Sequence, residues 1–307
     1  MKKLTKIIKS PRKLVFHLAA RFPKLTTQMD DEKLLRILYW SCFGKRLPLE
    51  DPLTLSEKIQ WLKLYDRNPL YTVLADKEES KRFVAEQIGD NFTVKTLGIW
   101  SRIEDIDFDS LPDQFVIKTT HDSGGVVICT NKAELDKQVT INKLSASLNR
   151  NYFSLFREWP YKNIVPRIIA EEYLSPEPGE TLTDFKFYCF NGEPKLLKTA
   201  VRDANGQIRT DFFDLNMKLI PLKQQGYENS TELPVVPRNL NAMVDTARKL
   251  TLGIPFVRLD FYEIDNRVLI GEFTFHPSSG LMPYEPEDAD LWLGSLLQLP
   301  ERKVIGE

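Results

Sequence analysis

An α+β fold with a helical N-terminal region is what this sequence predicts, on three observations. Residues 1–90 carry capped, amphipathic helix patterns. From Asn91 onward, short apolar runs bounded by turn residues replace them. The chain then closes on an apparent hairpin, "RLDFYEIDNRVLIGEFTFHPSSG", Arg258 to Gly280. Strands grouped in runs, with few helices between them, point to mainly antiparallel sheet. At 307 residues the chain is long enough for two domains, or for one with subdomains.

Taken in order, "PLTLSEKIQWLKLY" has a capping box, Thr54 with Glu57, before Ile59, Leu62 and Tyr65 on one helix face. In "ADKEESKRFVAEQIGD", Asp76 is the expected N-cap, Glu79 completes a second capping box and Gly89 is the stop. "TVKTLGIW" and "QFVIKTT" read as short strands, and "GGVVICT" as a third after a glycine pair. "NKAELDKQVTINKLSASLNRNYF" is helical, "RIIAEEYL" a buried strand ending in carboxylates, and "SPEPGE" a loop. "DFKFYCF", "KLLKTAV" and "TDFFDL" are strands, "VPRNLNAMVDTARKLTLG" a helix, and the hairpin follows. The expected organisation is a helical, basic region over 1–75, a smaller α+β unit over 76–180 and a larger one over 181–307.

The composition, 42% hydrophobic and 28% charged, is that of an ordinary soluble globular protein. A net charge of −1 gives no sign of a nucleic-acid binder. Cys42, Cys129 and Cys189 show neither CxxC nor His/Cys clustering, which argues against a disulfide framework or zinc and fits a reducing cytosol. Residues 1–29 hold eight Lys or Arg and no acid. Such a segment either rests on an anionic membrane surface or packs its apolar stripe on the body with its lysines in water; the second is favoured. The run Leu14–Ala20 is short and broken by His17, unlike a signal peptide. No stretch approaches the roughly 20 apolar residues of a membrane span. The expected location is the cytoplasm, with any membrane contact peripheral, at the inner face.

The hairpin spends charges inside apolar strands. Alternation puts Arg258 and Asp260 on one face, and Glu272, Thr274 and His276 share a face of the second strand. A three-residue loop, Asp265 to Arg267, sets Asp260 directly across from Glu272; a two-residue loop throws Glu272 to the opposite face. Facing carboxylates about 5 Å apart repel and need a cation. Either Arg258 supplies it, giving an ion-pair cluster without function, or a divalent cation does, and Mg²⁺ favours one or two carboxylates plus waters and phosphates. Upstream, "QFVIKTTHDSGGVVI" sets Lys118 and a loop with Gly124 and Gly125 between two strands, an arrangement able to cover phosphates. It is neither a Walker nor a dinucleotide pattern.

"LADK", "QFVIKTTHDSGG", "IIAEEYL", "FFDLNMK", "FVRLDFY" and "GEFTFHPSSG", in this order, resemble the ATP-grasp superfamily of carboxylate–amine ligases, over roughly Leu74 to Gly280. "NPLYTVLADK", "PRIIAEEYL" and "DFKFYCFNGEPK" look more narrowly like its teichuronopeptide-biosynthesis (TupA-like) branch. The resemblance implies two α+β subdomains clasping ATP. Lys77 and Lys118 match lysines that hold ATP phosphates, and His121 to Gly125, with Ser123 and Gly124, match the loop covering them. Glu171 and Glu172 match the hinge strand at adenine and ribose, and Asp184 and Lys186 line the same cleft. Lys218 falls where ligases keep a γ-phosphate lysine, and Arg258 matches the arginine that steadies the reacting carboxyl oxygen. Asp260 and Glu272 match the Mg²⁺ ligands; Thr274 stands where ligases usually have Asn. Ser278, Ser279 and Gly280 lie where substrate is received, and Arg202 could reach a phosphate or an acidic substrate.

The resemblance therefore implies an ATP- and Mg²⁺-dependent ligase that joins a small-molecule or glycan-linked carboxylate to an amine in surface-polysaccharide assembly. Two alternatives stand beside it: a kinase acting on a sugar or lipid-linked hydroxyl, and a non-catalytic, glycosyltransferase-associated assembly factor.

Overall fold

Two helices, the second capped at both ends, open the described part of the chain. In a computed structural model that describes residues 11–22, 26–175, 182–202, 206–231 and 235–302, α1 (Pro11–Arg21) precedes α2 (Asp31–Phe43). Asp30 caps the start of α2 and Gly44, with φ 71°, ends it. Helix α3 (Leu55–Tyr65) begins on the expected capping box: Thr54 accepts from the Glu57 N–H and Glu57 accepts from the Thr54 N–H. The short α4 (Leu70–Ala75) leads into α5 (Glu79–Ile88), which stops at Gly89.

The second capping box does not form. Asp76 does accept from the Glu78 and Glu79 N–H groups. The Glu79 carboxylate, however, takes Arg167 at 3.0 Å, and an ion pair with a guanidinium outcompetes a neutral N–H.

Two sheets follow. Strands β1 (Thr96–Trp100), β2 (Phe115–Thr119), β3 (Val126–Cys129) and β4 (Ile168–Glu172) form a four-stranded antiparallel sheet in the order β1-β4-β2-β3. Helix α6 (Lys137–Leu148) packs on it, burying Leu144 with Phe115, Ile117, Ile168 and Ala170. A short α7 (Phe153–Phe156) returns the chain toward the N-terminal helices.

The second sheet holds β5 (Asp184–Phe190), β6 (Glu193–Arg202), β7 (Ile208–Phe213), β8 (Leu219–Ile220), β10 (Phe256–Ile264) and β11 (Arg267–Thr274), ordered β11-β10-β5-β6-β7-β8. Strand β9 (Lys223–Gln224) pairs separately with β12 (Tyr284–Glu285), and α8 (Leu240–Leu250) and α9 (Ala289–Ser295) complete the elements. Period-two alternation gives the six-stranded sheet two dissimilar faces. One buries Phe185, Phe187, Leu197, Val257, Leu259 and Phe273 against α4, α5 and α8. The other is divided: Tyr188, Phe190, Leu196, Phe212 and Phe256 pack under the N-terminal helices, and the remainder carries charge. That division positions the site.

Candidate active site

The hairpin turns on two residues, not three. Ile264 pairs with Arg267, and Asp265 and Asn266 take φ 50° and 57°, the left-handed pair of a tight primed turn. Regular pairing from such a turn would set Gly271 opposite Asp260. The ladder instead shifts register between Phe261 and Asp260: Phe261 pairs with Ile270 and Asp260 with Glu272, leaving Gly271 as a bulge. The two carboxylates thus face each other, by a route other than the expected three-residue loop.

Around them lies a dense charge row. Arg258 donates to Asp260 from Nε at 2.6 Å and from Nη2 at 2.7 Å, and to Thr274 Oγ1 at 3.0 Å; it stands 3.6 Å from Glu272. Thr274 donates to Glu272 Oε1 at 2.7 Å. From β5, Lys186 donates to Asp260 Oδ2 at 2.7 Å and also to Asp184. Burial opposes the charge of Glu272, but Lys77 and then Arg258 outweigh it and hold its pKa at about 2. Burial, then Asp260, raises the pKa of Asp184. Burial lowers that of Lys186, yet Asp260 prevails and the net shift is upward.

As hard oxygen donors across one ladder, Asp260 and Glu272 fit a divalent cation by type, with Thr274 beside them. Both Asp260 oxygens are held by Arg258 and Lys186, so a cation would share this carboxylate with them. Among the described residues no group of three or more His, Cys, Asp or Glu is arranged to hold a metal.

The four-stranded sheet brings a second set. Lys118 on β2 and Lys81 on α5 each meet Glu171 at 2.6 Å, and the buried Glu171 stays ionised: its burial is outweighed by these two lysines. Glu172 points the other way, accepting from the Lys95 N–H at 3.4 Å. In the loop, the buried Asp122 accepts from Thr119 and Ser147, while Ser123 and Gly124 are exposed. Gly125 has no room for a side chain, since a Cβ would lie 2.1 Å from Ser147 Oγ. His121 is buried, which lowers its pKa. Lys77 ties this loop down, its Nζ donating to the Asp122 carbonyl at 2.6 Å, and its charge helps to lower the pKa of Glu272. Lys77 therefore links the loop to the hairpin.

Lys218 stands apart. It is exposed, in the turn after β7, and among the described residues no hydrogen bond or ion pair joins it to the charge row. Arg202 ends β6, and its side chain lies outside the described residues.

Two groups escaped the sequence reading. Lys198, on β6 across from Lys186, is buried between Phe212 and Tyr227 and donates to Gln224 Oε1 at 2.5 Å. Burial, then Arg258 and Lys186, lowers its pKa to about 7. The second group clamps the His276–Gly280 turn, where Ser278, Ser279 and Gly280 are consecutively left-handed at φ 50°, 58° and 60°. From α3, Lys63 donates to the Ser279 carbonyl at 2.8 Å, and Gln60 to the Ser279 and Gly280 carbonyls at 3.1 and 3.0 Å. Ser279 Oγ donates to Glu158 at 2.6 Å, and the buried His276 stands with its Nδ1 3.7 Å from the same carboxylate. The only sequence sign was a polar pair, Gln60 and Lys63, one turn apart among the apolar residues Ile59, Trp61, Leu62 and Leu64.

The family model for TupA-like ATPgrasp proteins matches residues 57–298. No curated protein matches the chain. Among solved structures the chain is similar to D-alanine–D-alanine ligase from Bacillus anthracis, with 18% identity and a TM-score of 0.37 over 66% of this chain and 57% of that one. It is also similar to D-alanine–D-alanine ligase from Helicobacter pylori (15%, TM-score 0.42, 79% and 69%). A third is the ATP-grasp ligase PsnB complexed with minimal precursor, Mg and ADP (13%, TM-score 0.39, 84% and 66%). The chain thus spans 57% of the length of the Bacillus anthracis ligase.

Proposed function

This chain belongs to the TupA-like ATP-grasp family, and from that premise we propose that it is an ATP- and Mg²⁺-dependent carboxylate–amine ligase. The observation that carries the reading is Lys77: one residue binds the glycine loop of the four-stranded sheet and acts on Glu272 of the hairpin. This supports a single site in which residues suited to phosphates and residues suited to a cation act together.

In this reading the substrate carboxylate attacks the γ-phosphorus of ATP, the bond to ADP breaks, and an acylphosphate forms. The amine then attacks the acyl carbon, inorganic phosphate leaves, the amine proton goes to solvent and an amide results. Lys77, Lys118 and the loop from His121 to Gly125 bind phosphates, with Glu171 orienting Lys118 and Glu172, Asp184 and Lys186 at the cleft edge. Arg258 steadies the carboxyl oxygen, and the turn from Ser278 to Gly280 receives substrate. Asp260, Glu272 and Thr274 would hold Mg²⁺, which would neutralise phosphate charge. Catalysis is then mostly positioning and electrostatics. Lys218 would serve the γ-phosphate if its turn moves inward. Residues 76–180 and 181–307 form the two clasping units in this proposal, with 1–75 as a helical region.

From the branch resemblance we infer the substrates: an amino acid joined to a uronic-acid or polymer carboxylate of a surface polysaccharide, at the cytoplasmic side. The test is a coupled assay. ADP release that requires both a carboxylate and an amine, with amide formed, supports the ligase; ADP release with a hydroxyl acceptor alone would replace it with a kinase.

One observation favours a second reading. Arg258 already balances Asp260 and stands near Glu272, as a purely structural ion cluster in a non-catalytic assembly factor would. Calorimetry with a non-hydrolysable ATP analogue and Mg²⁺ separates the two, because the structural cluster predicts no binding.

A further inference from the structure

Helix α1 is apolar on two faces. Phe16 stacks on Phe156 at 5.5 Å and Ala19 is buried, so one face packs on the body as expected. Leu14, Leu18 and Phe22 lie on another face at a spacing of four and are 46%, 44% and 51% exposed. A single exposed leucine is ordinary, but three in line on one helix mark a contact surface. The same segment, residues 1–29, carries eight Lys or Arg and no acid, in a chain whose net charge is −1. Along the sequence, the positive charge therefore flanks the apolar stripe.

We propose that α1 docks the protein on an anionic lipid bilayer, with Leu14, Leu18 and Phe22 entering the head-group boundary and the basic, acid-free composition of residues 1–29 favouring anionic lipid. Charge complementarity selects this occupant. A second copy meeting the same face would oppose one acid-free, basic segment with another and repel it. Among the described residues no helix is long and apolar enough to cross a membrane, so the contact is peripheral.

The test is sedimentation of the full chain with vesicles of phosphatidylcholine alone or mixed with phosphatidylglycerol. Binding to the anionic vesicles only, fading as salt is raised, is expected. The double variant Leu14→Gln/Leu18→Gln should lose about tenfold or more in binding without change in melting temperature. Should that variant fail to fold, Leu18→Trp gives an independent readout, a blue shift of its emission on anionic vesicles. Equal binding to neutral vesicles, no binding, an unaffected double variant or an unshifted Leu18→Trp spectrum overturns the proposal. So does a dimer that the double variant converts to monomer, since the stripe would then belong to a second copy.

Discussion

Arg258 grips Asp260 along one strand with two hydrogen bonds, at 2.6 and 2.7 Å, and Lys186 holds the same carboxylate from the neighbouring strand. Asp260 is 4% exposed, so this pairing operates away from solvent screening. The first prediction follows. Asp260→Asn keeps the shape but leaves two buried cations sharing a neutral group. Chemical denaturation should show a loss of about 3 kcal/mol, and ATP turnover should vanish. Retained turnover would exclude Asp260 from the site.

Lys63 tests the clamp on the His276–Gly280 turn. Three successive left-handed residues, two of them serines, cost on the order of 1 kcal/mol each for the serines, and bonds from Gln60 and Lys63 hold them. Lys63→Met should leave the Ser279 carbonyl held by Gln60 alone. The KM for the acceptor substrate should rise about tenfold, a change of about 1.4 kcal/mol, while the KM for ATP stays constant. A parallel rise in both would mean general loosening instead.

Lys198 sets a pH signature. Its folded pKa is about 7, against 10.5 for an exposed lysine. Between those values the unfolded chain holds a proton that the folded chain lacks, so unfolding free energy increases with pH across that window and the contribution is flat below it. Comparing the wild type with Lys198→Met at pH 6 and pH 9, the rise should be smaller in the variant by about 2 kcal/mol. Identical slopes would mean that Lys198 stays protonated throughout.

The two loop glycines should respond differently. A Cβ on Gly125 meets Ser147 Oγ at 2.1 Å and Thr119 Oγ1 at 2.3 Å, whereas one on Gly124 meets open space at a φ of +108°. Gly125→Ala should lower stability by about 2–3 kcal/mol through overpacking, and Gly124→Ala by about 1 kcal/mol through backbone strain alone. Thermal melts rank them; a reversed order would refute the placement of the Thr119–Asp122–Ser147 knot.

What the sequence made legible was local or periodic. The Thr54–Glu57 capping box depends on four residues and formed as read. The same pattern at Asp76 and Glu79 failed because Arg167, 88 residues from Glu79, claims that carboxylate. The facing of Asp260 and Glu272 was expected only with a three-residue loop; with the two-residue Asp265–Asn266 turn it depends on the Gly271 bulge, and one added residue leaves no periodic trace. Lys63, Gln60, Glu158 and Ser279 come from three distant segments, and only folding reveals that each is the others' partner. Lys198 read as an ordinary strand residue because its burial depends on Phe212 and Tyr227 from elsewhere.

The shared core beneath the N-terminal helices limits how the chain can be trimmed. The family match starts at Glu57, inside α3 and past its cap. A shortened polypeptide beginning there would lose Thr54 together with Leu34, Leu35 and Leu38, uncovering Tyr188, Phe190 and Phe212. Such a fragment should precipitate on expression, and handling the recognisable portion as a free-standing unit would misreport the protein's solubility.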